Sequence, residues 1–261
     1  MPVFGVISGS GLYDIPGLTI TDTAEIKTPY GGPSDTYRLG RLSGKDIAFL
    51  PRHGAQHSLQ PHRINYRANI WGFRELGVER IISIGASGGI SPNMKPGTIT
   101  LPDQLIDSTS GRLSSYYDKD EVVHIDFTDP FCGDLRKYLV HASEGSDVKC
   151  INHGTYICTN GPRLETAAEI RAFGILGADM VGMTAMPEAA LARELEICFA
   201  GISIITNFAA GITGEKLTSV EVVETMQASS AKLKSLLSAF FSLQFLPPDC
   251  SCRQTLKEAK M

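Results

Sequence analysis

A chain of 261 residues is long enough for one large α/β domain or two small ones, and either arrangement buries a substantial core. Hydrophobic residues make up 43% of the chain and charged residues 20%, which is typical of an ordinary soluble globular protein. The formal net charge of -4 argues against a nucleic acid or an anionic membrane surface as a partner. Any anion that the protein binds must therefore be held by local groups.

The N-terminal run MPVFGVISGSG has no basic segment and is too short in apolar residues for a signal peptide. No apolar run approaches the ~20 residues of a membrane span, so we expect a cytoplasmic protein. The six cysteines show neither a CxxC pair nor a zinc-type spacing, which favours reduced thiols without a metal. The segment from Pro247 onwards, which carries Cys250 and Cys252, is predicted to be a loosely packed tail.

Apolar runs of strand and helix character alternate along the chain, without an internal repeat or a break in composition. This order predicts one three-layer α/β domain, with a central mixed β-sheet flanked by helices, over residues 1–246, followed by the tail 247–261. Strands are predicted at 3–7, 37–41, 46–50, 80–84, 98–106, 148–158, 179–183 and 198–206, and helices at 65–76, 135–143, 166–176, 187–196 and 219–241.

Several predicted strands end in loops of small or polar residues, where α/β proteins commonly keep their sites. The SGSG turn with Ser10 follows the first strand, and Arg52 and His53 follow another. The GASGG run at 85–89 is predicted to be a loop, and Thr184 precedes a helix that begins with Pro. The SGSG turn lacks the third glycine of a dinucleotide fingerprint. His53 and His57 have no carboxylate or cysteine nearby in the sequence, so no metal is expected.

In order along the chain, the motifs SGSG, RHG, NYRANIW, GASGGI, HIDF, GPRLET, VGMTAMPEAALA and ITNFAAG resemble the trimeric purine nucleoside phosphorylase and methylthioadenosine phosphorylase family. The resemblance covers about residues 3–243. It implies that phosphate attacks C1' of a purine nucleoside and releases the free base and a pentose 1-phosphate. No metal or organic cofactor is implied, because phosphate itself is the nucleophile. A homotrimer is implied, and pairing of trimers into hexamers is left open.

The resemblance also implies roles for individual residues. Charge-assisted donors, hydroxyls and backbone amides suit a phosphate dianion, and the implied set is Ser10, Arg52, His53, Gly85, Ala86 and Thr184. The implied nucleoside site comprises Leu164, Glu165, Met183, Asn207, Phe208, Ala209, Val220, His57 and His124, with His124 donated by a neighbouring subunit. Catalysis is expected to involve His53, Glu165 and Asn207, because negative charge gathers on the leaving purine in an oxocarbenium-like transition state.

Three positions distinguish this chain from the adenine-specific members, which carry a serine at Glu165 and aspartates at Asn207 and Ala209. A Glu165 carboxylate accepts the N1–H of a 6-oxopurine but faces the N1 lone pair of adenine. Asn207 can donate to N7 or O6 of the base. A site built to pair such groups rejects the mismatched purine. The alternative for Glu165 is a carboxylate that only favours the helix N-terminus.

Val220 stands where general nucleoside phosphorylases of this kind have a histidine for the 5'-hydroxyl, and it suits an apolar S-methyl group. The alternative is an ordinary helix residue. The expected reaction converts 5'-methylthioinosine and phosphate to hypoxanthine and 5-methylthioribose 1-phosphate. Four alternatives stay open: a broader purine nucleoside phosphorylase acting on inosine and guanosine, a methylthioadenosine phosphorylase, a binding protein without activity, and a nucleosidase that uses water.

The Cys250-Ser-Cys252 pair resembles the tail of some thermophilic members of the family. In those proteins the resemblance implies a strained disulfide with redox character. In a mesophilic cytosol the two thiols would instead be spectators.

Overall fold

The computed structural model describes residues 3–12, 14–15, 17–119, 121–214, 216–257 and 259–260. Within them the chain forms one mixed β-sheet with helices on both faces. The strands are β1 Phe4–Ser8, β2 Thr19–Ala24, β3 Tyr37–Leu42, β4 Lys45–Pro51, β5 Arg80–Gly89, β6 Ile99–Thr100, β7 Gln104–Asp107, β8 Cys150–Ile151, β9 Thr155–Cys158, β10 Met180–Gly182 and β11 Cys198–Phe208. The helices are α1 Tyr66–Glu75, α2 Gly133–Gly145, α3 Ala167–Ile175, α4 Ala185–Glu194 and α5 Ser219–Ser242.

The centre of the sheet consists of four parallel strands in the order β4-β1-β5-β11. These strands read as nearly continuous apolar runs because helices cover both of their faces. The antiparallel strands β3 and β2 extend one side. Beyond the centre the sheet divides, because the end of β5 also pairs with β10, which leads to β9 and β7, while β11 pairs with β6 and then β8.

Two helical layers enclose this sheet. Helices α2 and α5 cover one face, where Leu139, Leu236 and Phe240 are fully buried. Helices α1 and α4 cover the other face, where Phe73 and Leu191 are fully buried. The prediction of a three-layer single domain with a mixed sheet is therefore confirmed. None of the helices in the described part of the chain is long and apolar enough to cross a membrane.

Three predictions of local structure are wrong. The run 85–89 is not a loop, because β5 continues to Gly89 and is held there by pairing with β11 and β10. The predicted strand 98–106 is divided into β6 and β7 around Pro102, which has no N–H to donate to a ladder. The predicted strand 148–158 is likewise divided around Gly154, whose φ of 142° favours glycine.

The C-terminal segment packs against the domain, so the prediction of a loose tail is wrong. Residues Ser251–Lys257 form a short 3₁₀ helix, and Cys252 is only 2% exposed within the core beneath α5. Arg253 pairs with Glu79 at 3.0 Å, which ties the segment to the start of β5. The burial of one cysteine and this ion pair hold the segment in place. The domain boundary at residue 246 stays a prediction.

Candidate active site

A cavity of about 500 Å³ opens where the parallel strands β1, β4, β5 and β11 end. This is the place where open α/β sheets bind ligands, because loops leave the carboxyl ends of the strands there. Twelve of the predicted site residues line the cavity, namely Ser10, Arg52, His53, His57, Gly85, Ala86, Leu164, Glu165, Met183, Thr184, Asn207 and Ala209. Three predicted residues, Phe208, Val220 and His124, are not part of its lining.

Arg52 follows β4 and is fully buried in an ion pair with Glu188 of α4. Its Nε donates to one carboxylate oxygen of Glu188 at 2.7 Å and its Nη2 to the other at 3.2 Å. Nη1 donates to the carbonyl of Ile84 and also lies nearest the SGSG turn, only 2.8 Å from where a Cβ on Gly9 would stand. The two-nitrogen face of the guanidinium is therefore occupied by Glu188. Nη1 is therefore the guanidinium nitrogen that remains at the cavity side of this ion pair.

Ser83 and Glu188 complete this buried network, and neither was singled out from the sequence. The Ser83 hydroxyl donates to Glu188 at 2.8 Å and accepts from Nη2 of Arg52 at 2.7 Å. A signal that could have pointed to Glu188 is its charge within the apolar run MPEAALA, since a buried carboxylate requires a partner. Its partner lies 136 residues away, and spacing alone does not connect the two.

His53 is buried beside Arg52, and the backbone carbonyl of Leu59, six residues later, holds its ring. Its Nδ1 lies 2.8 Å from the carbonyl oxygen of Leu59, which only accepts, so Nδ1 carries the proton of the neutral ring. Nε2 then faces the SGSG turn as an acceptor, 3.7 Å from the position of a Cβ on Gly9. Burial, the largest cause, and the nearby Arg52 charge lower the pKa of His53 to about 4. The ring of His57 lies 4.6 Å away, centroid to centroid.

This lowered pKa predicts a stability that depends on pH. A histidine that is neutral in the folded state stabilises it fully above its unfolded pKa of 6.5, and this contribution is lost as the pH falls towards about 4. The shift corresponds to about 3 kcal/mol. We expect wild type to lose more free energy of unfolding between pH 7 and 4 than His53→Asn, whose amide can still donate to Leu59. Urea unfolding at several pH values measures this, and parallel losses in the two proteins would contradict it.

Glu165 lies at the other end of the cavity, at the turn that precedes α3. One of its carboxylate oxygens accepts a hydrogen bond from Thr159 at 2.7 Å. The N-terminus of α3 has its own carboxylate, because Thr166 and Glu169 form a reciprocal capping box. Glu165 thus stands one residue before the cap and lines the cavity. These contacts count against the alternative that Glu165 serves only the helix N-terminus.

Asn207 reaches the cavity because β11 is irregular near its end. The register between β11 and β5 shifts between Ile205 and Asn207, so Thr206 and Asn207, although adjacent, both line the cavity. The Asn207 Oδ1 accepts from Thr206 at 2.8 Å, and its Nδ2 donates to the carbonyl of Phe208 at 2.8 Å. The carbonyl, which only accepts, identifies the amide nitrogen. One N–H of the side chain is left for a ligand.

The first turn of α5 forms an apolar wall, but with residues other than Val220. Leu217, Ser219, Val222 and Val223 line the cavity, whereas Val220 is 61% exposed. Positions three and four apart share one face of a helix, so Ser219 brings Val222 and Val223 with it and leaves Val220 on another face. Val220 therefore does not line the cavity, whereas its neighbours Val222 and Val223 do.

Two further predicted residues lie outside the cavity lining. His124 is exposed, and its backbone N–H donates to the carbonyl of Ala259. Its predicted role depends on a second subunit and stays a prediction. Phe208 contributes its carbonyl to Asn207 instead of placing its ring in the lining.

Known proteins match this chain over most or all of its length. The profile described as Phosphorylase superfamily matches residues 3–242. A probable S-methyl-5'-thioinosine phosphorylase of Thermodesulfovibrio yellowstonii is 46% identical over 258 residues, which cover 98% of this chain and 96% of the relative. A 6-oxopurine nucleoside phosphorylase of Pyrococcus furiosus is 48% identical over 266 residues, which cover 99% of each chain.

A solved structure shares the fold. The methylthioadenosine phosphorylase from an antarctic soil metagenomic library superposes with a TM-score of 0.91 at 34% identity, and the match covers 100% of this chain and 92% of that one. The relatives thus include proteins named for 6-oxopurine and for adenine substrates. Similarity over the whole length does not by itself separate the two substrate classes, so the residues of the cavity must do so.

Proposed function

Since the chain belongs to the phosphorylase superfamily, we propose that it catalyses phosphorolysis of a 6-oxopurine nucleoside, with 5'-methylthioinosine as the preferred substrate. The products are hypoxanthine and 5-methylthioribose 1-phosphate, and the enzyme is a pentosyltransferase. The choice of base rests on two side chains that line the same cavity. The Glu165 carboxylate is held by Thr159, and the Asn207 amide has one N–H left for a ligand.

The phosphate end of the proposed site is formed by the turns that follow β1 and β4 and by the step from β10 into α4. Ser10 and Thr184 contribute hydroxyls, and the Thr184 side chain caps no helix, because the extended backbone of Met186 separates it from the regular turns of α4. Arg52 presents Nη1, and Nε2 of the neutral His53 accepts a hydrogen bond from a phosphate hydroxyl. Phosphate held there attacks C1', the N-glycosidic bond breaks, and the bonding electrons pass to the purine. The base leaves as neutral hypoxanthine by taking up one proton, which overall balances the proton that the phosphate hydroxyl gives up.

The purine end of the proposed site stabilises the leaving base and selects it. The Glu165 carboxylate accepts N1–H of a 6-oxopurine, and the Asn207 amide donates to N7 or O6 while negative charge develops on the ring. Adenine has no proton on N1, so its lone pair would face the carboxylate. Leaving such buried polar groups unpaired is the usual basis of strong discrimination between analogues.

The sugar end supports a 5'-methylthio group over a 5'-hydroxyl. Val222 and Val223 line the cavity with carbon atoms, and burial of an S-methyl group against them is favourable. A hydroxyl in the same place would lose hydrogen bonds to water without gaining a partner from these two side chains. The alternative is a substrate with a 5'-hydroxyl, such as inosine. His57 favours this alternative, because it lines the same cavity and would allow binding of the hydroxyl.

Release of free base tests the proposal. We expect phosphate-dependent release of hypoxanthine from 5'-methylthioinosine, with kcat/KM higher than for inosine, guanosine, adenosine and 5'-methylthioadenosine. Each nucleoside is assayed with and without phosphate. Faster turnover of 5'-methylthioadenosine would overturn the choice of base, and equal turnover of inosine would overturn the choice of sugar. Release without phosphate would identify a nucleosidase, and binding without release would identify a protein that has lost the reaction.

We further propose that the protein acts in the cytoplasm as a homotrimer, without an organic cofactor, in purine salvage. Phosphate is a co-substrate, and no cofactor is required to supply the nucleophile. The trimer is what the resemblance in sequence implies, and in a trimer His124 would reach the site of a neighbouring subunit. Light scattering after size-exclusion chromatography measures the mass of the particle, and a monomer with full activity would contradict both the trimer and the role of His124.

A further inference from the structure

Four cysteines from three distant parts of the chain meet on the α2 side of the sheet. Cys132 precedes the first residue of α2, Cys198 is the first residue of β11, and Cys250 and Cys252 belong to the C-terminal segment. Their four sulfur atoms all lie within 4.8 Å of one another. Three of these cysteines are buried and Cys250 is half-buried. The sequence did not reveal the group, because only Cys250 and Cys252 are close in the chain.

The spacing of these sulfur atoms fits a tetrahedral thiolate site. With metal–sulfur bonds of about 2.3 Å, four sulfur atoms around Zn²⁺ stand about 3.8 Å apart. The sulfur atoms of Cys198 and Cys250 lie 3.3 Å apart, and no two of the four sulfur atoms are more than 4.8 Å apart. Shifts of less than about 1 Å therefore convert the cluster into the metal-bound arrangement. A disulfide requires about 2.05 Å and brings together only two sulfur atoms.

We propose that Cys132, Cys198, Cys250 and Cys252 bind one zinc ion as a structural site. Four sulfur ligands at tetrahedral spacing are the donor set that zinc takes in closed sites, and soft thiolates select such ions over magnesium or calcium. Four protein ligands leave no position for substrate or water, so the ion has no part in the proposed phosphorolysis. The inference stands independently of that reaction.

The surroundings of the Cys132 sulfur favour its deprotonated form. The backbone N–H of Leu135 donates to the sulfur of Cys132 at 3.4 Å, in the first turn of α2, where the helix dipole favours negative charge. Binding of the ion releases the four thiol protons, and each sulfur keeps its electron pair to form a bond to zinc. No oxidant or reductant takes part.

The proposed ion also explains how a short C-terminal segment is held against the domain. Cys250 and Cys252 would join the segment to α2 through Cys132 and to β11 through Cys198. Beyond these thiols, the contacts include the ion pair of Arg253 with Glu79 and the hydrogen bond from the Leu256 N–H to Glu196. Zinc would therefore contribute to folding stability, because an unfolded chain does not present the four thiolates together.

Elemental analysis tests the proposal directly. The full-length protein is produced with zinc in the medium and purified in reductant without chelator, and zinc per chain is measured by mass spectrometry. We expect about one equivalent in wild type. We expect Cys198→Ser to lose most of it and Cys150→Ser, which changes a half-buried cysteine outside the cluster, to retain it. Absence of zinc from wild type, or equal zinc in Cys198→Ser and wild type, would overturn the proposal.

A second measurement on wild type alone covers the case in which Cys198→Ser does not fold. A strong chelator is expected to lower the unfolding temperature, and added zinc is expected to restore it. Cobalt in place of zinc should give the thiolate-to-cobalt charge-transfer absorption of a tetrahedral site. Thiols are counted after denaturation with chelator but without reductant, and all six cysteines are expected to react. Disulfides among the four clustered cysteines, or an unfolding temperature indifferent to chelator, would overturn the proposal.

Discussion

Replacing Glu188 by glutamine is expected to lower the free energy of unfolding by about 3–5 kcal/mol, because it leaves the charge of Arg52 buried without its partner. Both side chains are fully buried, and the carboxylate accepts from Nε, from Nη2 and from Ser83. At about 2–4 °C per kcal/mol, the unfolding temperature should fall by about 6–20 °C. Urea and thermal unfolding at one protein concentration measure the effect. Phosphate should stabilise the variant more than wild type, since the charge of an anion at Nη1 then offsets a guanidinium charge that Glu188 no longer neutralises.

Glu194→Gln is the matched control for this prediction. Glu194 lies on the same helix, α4, and is buried, but it accepts from the backbone N–H of Tyr116 at 2.7 Å. Burial raises the pKa of this carboxyl, so the neutral glutamine replaces it at little cost. The expected loss is about 1 kcal/mol. Equal losses in the two variants would mean that burial of a carboxylate, and not its ion pair with Arg52, governs the stability of α4.

The sequence predicted the fold well where hydrophobic periodicity determines the structure. The parallel strands β1, β4, β5 and β11 are apolar along their length because helices cover both faces, and each was predicted in its core. The errors concern residues with little local preference. The run 85–89 consists of small residues typical of a loop, and only the pairing of β5 with β10 and β11 makes it a strand. Such tertiary pairing is not visible in a short window of sequence.

For the candidate site, the sequence indicated which residues line the cavity better than how they are oriented. Glu165 and Asn207 were predicted from motifs, but their partners Thr159 and Thr206 follow from contacts that depend on the folded turn and the bulge. Val220 was assigned to the site by its position within a motif. In the structure Val222 and Val223 lie on the face of α5 that lines the cavity, and Val220 lies on another face. The zinc-type cluster was missed for the same reason, since its ligands converge only in three dimensions.

The substitution Glu165→Gln is expected to reduce the preference for 6-oxopurines far more than it reduces total activity. In wild type one oxygen of Glu165 is held by Thr159, and the proposed role of the carboxylate is to accept N1–H. Hydrogen bonds to a charged group contribute about 1.5–3 kcal/mol against about 0.5–1.5 for a neutral one, so kcat/KM for 5'-methylthioinosine should fall about 10-fold. The ratio of kcat/KM for 5'-methylthioinosine and 5'-methylthioadenosine measures the preference.

The same substitution is expected to improve the binding of adenine, because the introduced amide can turn either its oxygen or its nitrogen towards the base. With its oxygen towards the base, the introduced amide accepts N1–H of hypoxanthine while its nitrogen donates to the Thr159 hydroxyl. With the amide turned over, it donates to N1 of adenine while its oxygen accepts from Thr159, as Glu165 does in wild type. Both purines then find a hydrogen-bond partner. Because kcat/KM falls for 5'-methylthioinosine and rises for 5'-methylthioadenosine, the ratio of the two should fall by about 10²-fold or more.

Glu169→Gln provides the control for base selection. Glu169 lies four residues further along, in the capping box of α3, and glutamine can fill that position as well. This variant removes one negative charge near the cavity but no group from its lining, so its substrate ratio should equal that of wild type. An equal fall of the ratio in both variants would mean that charge at the start of α3 sets the preference. An unchanged ratio in Glu165→Gln would mean that Asn207 alone distinguishes the purines, because it is the remaining polar side chain proposed to contact the base.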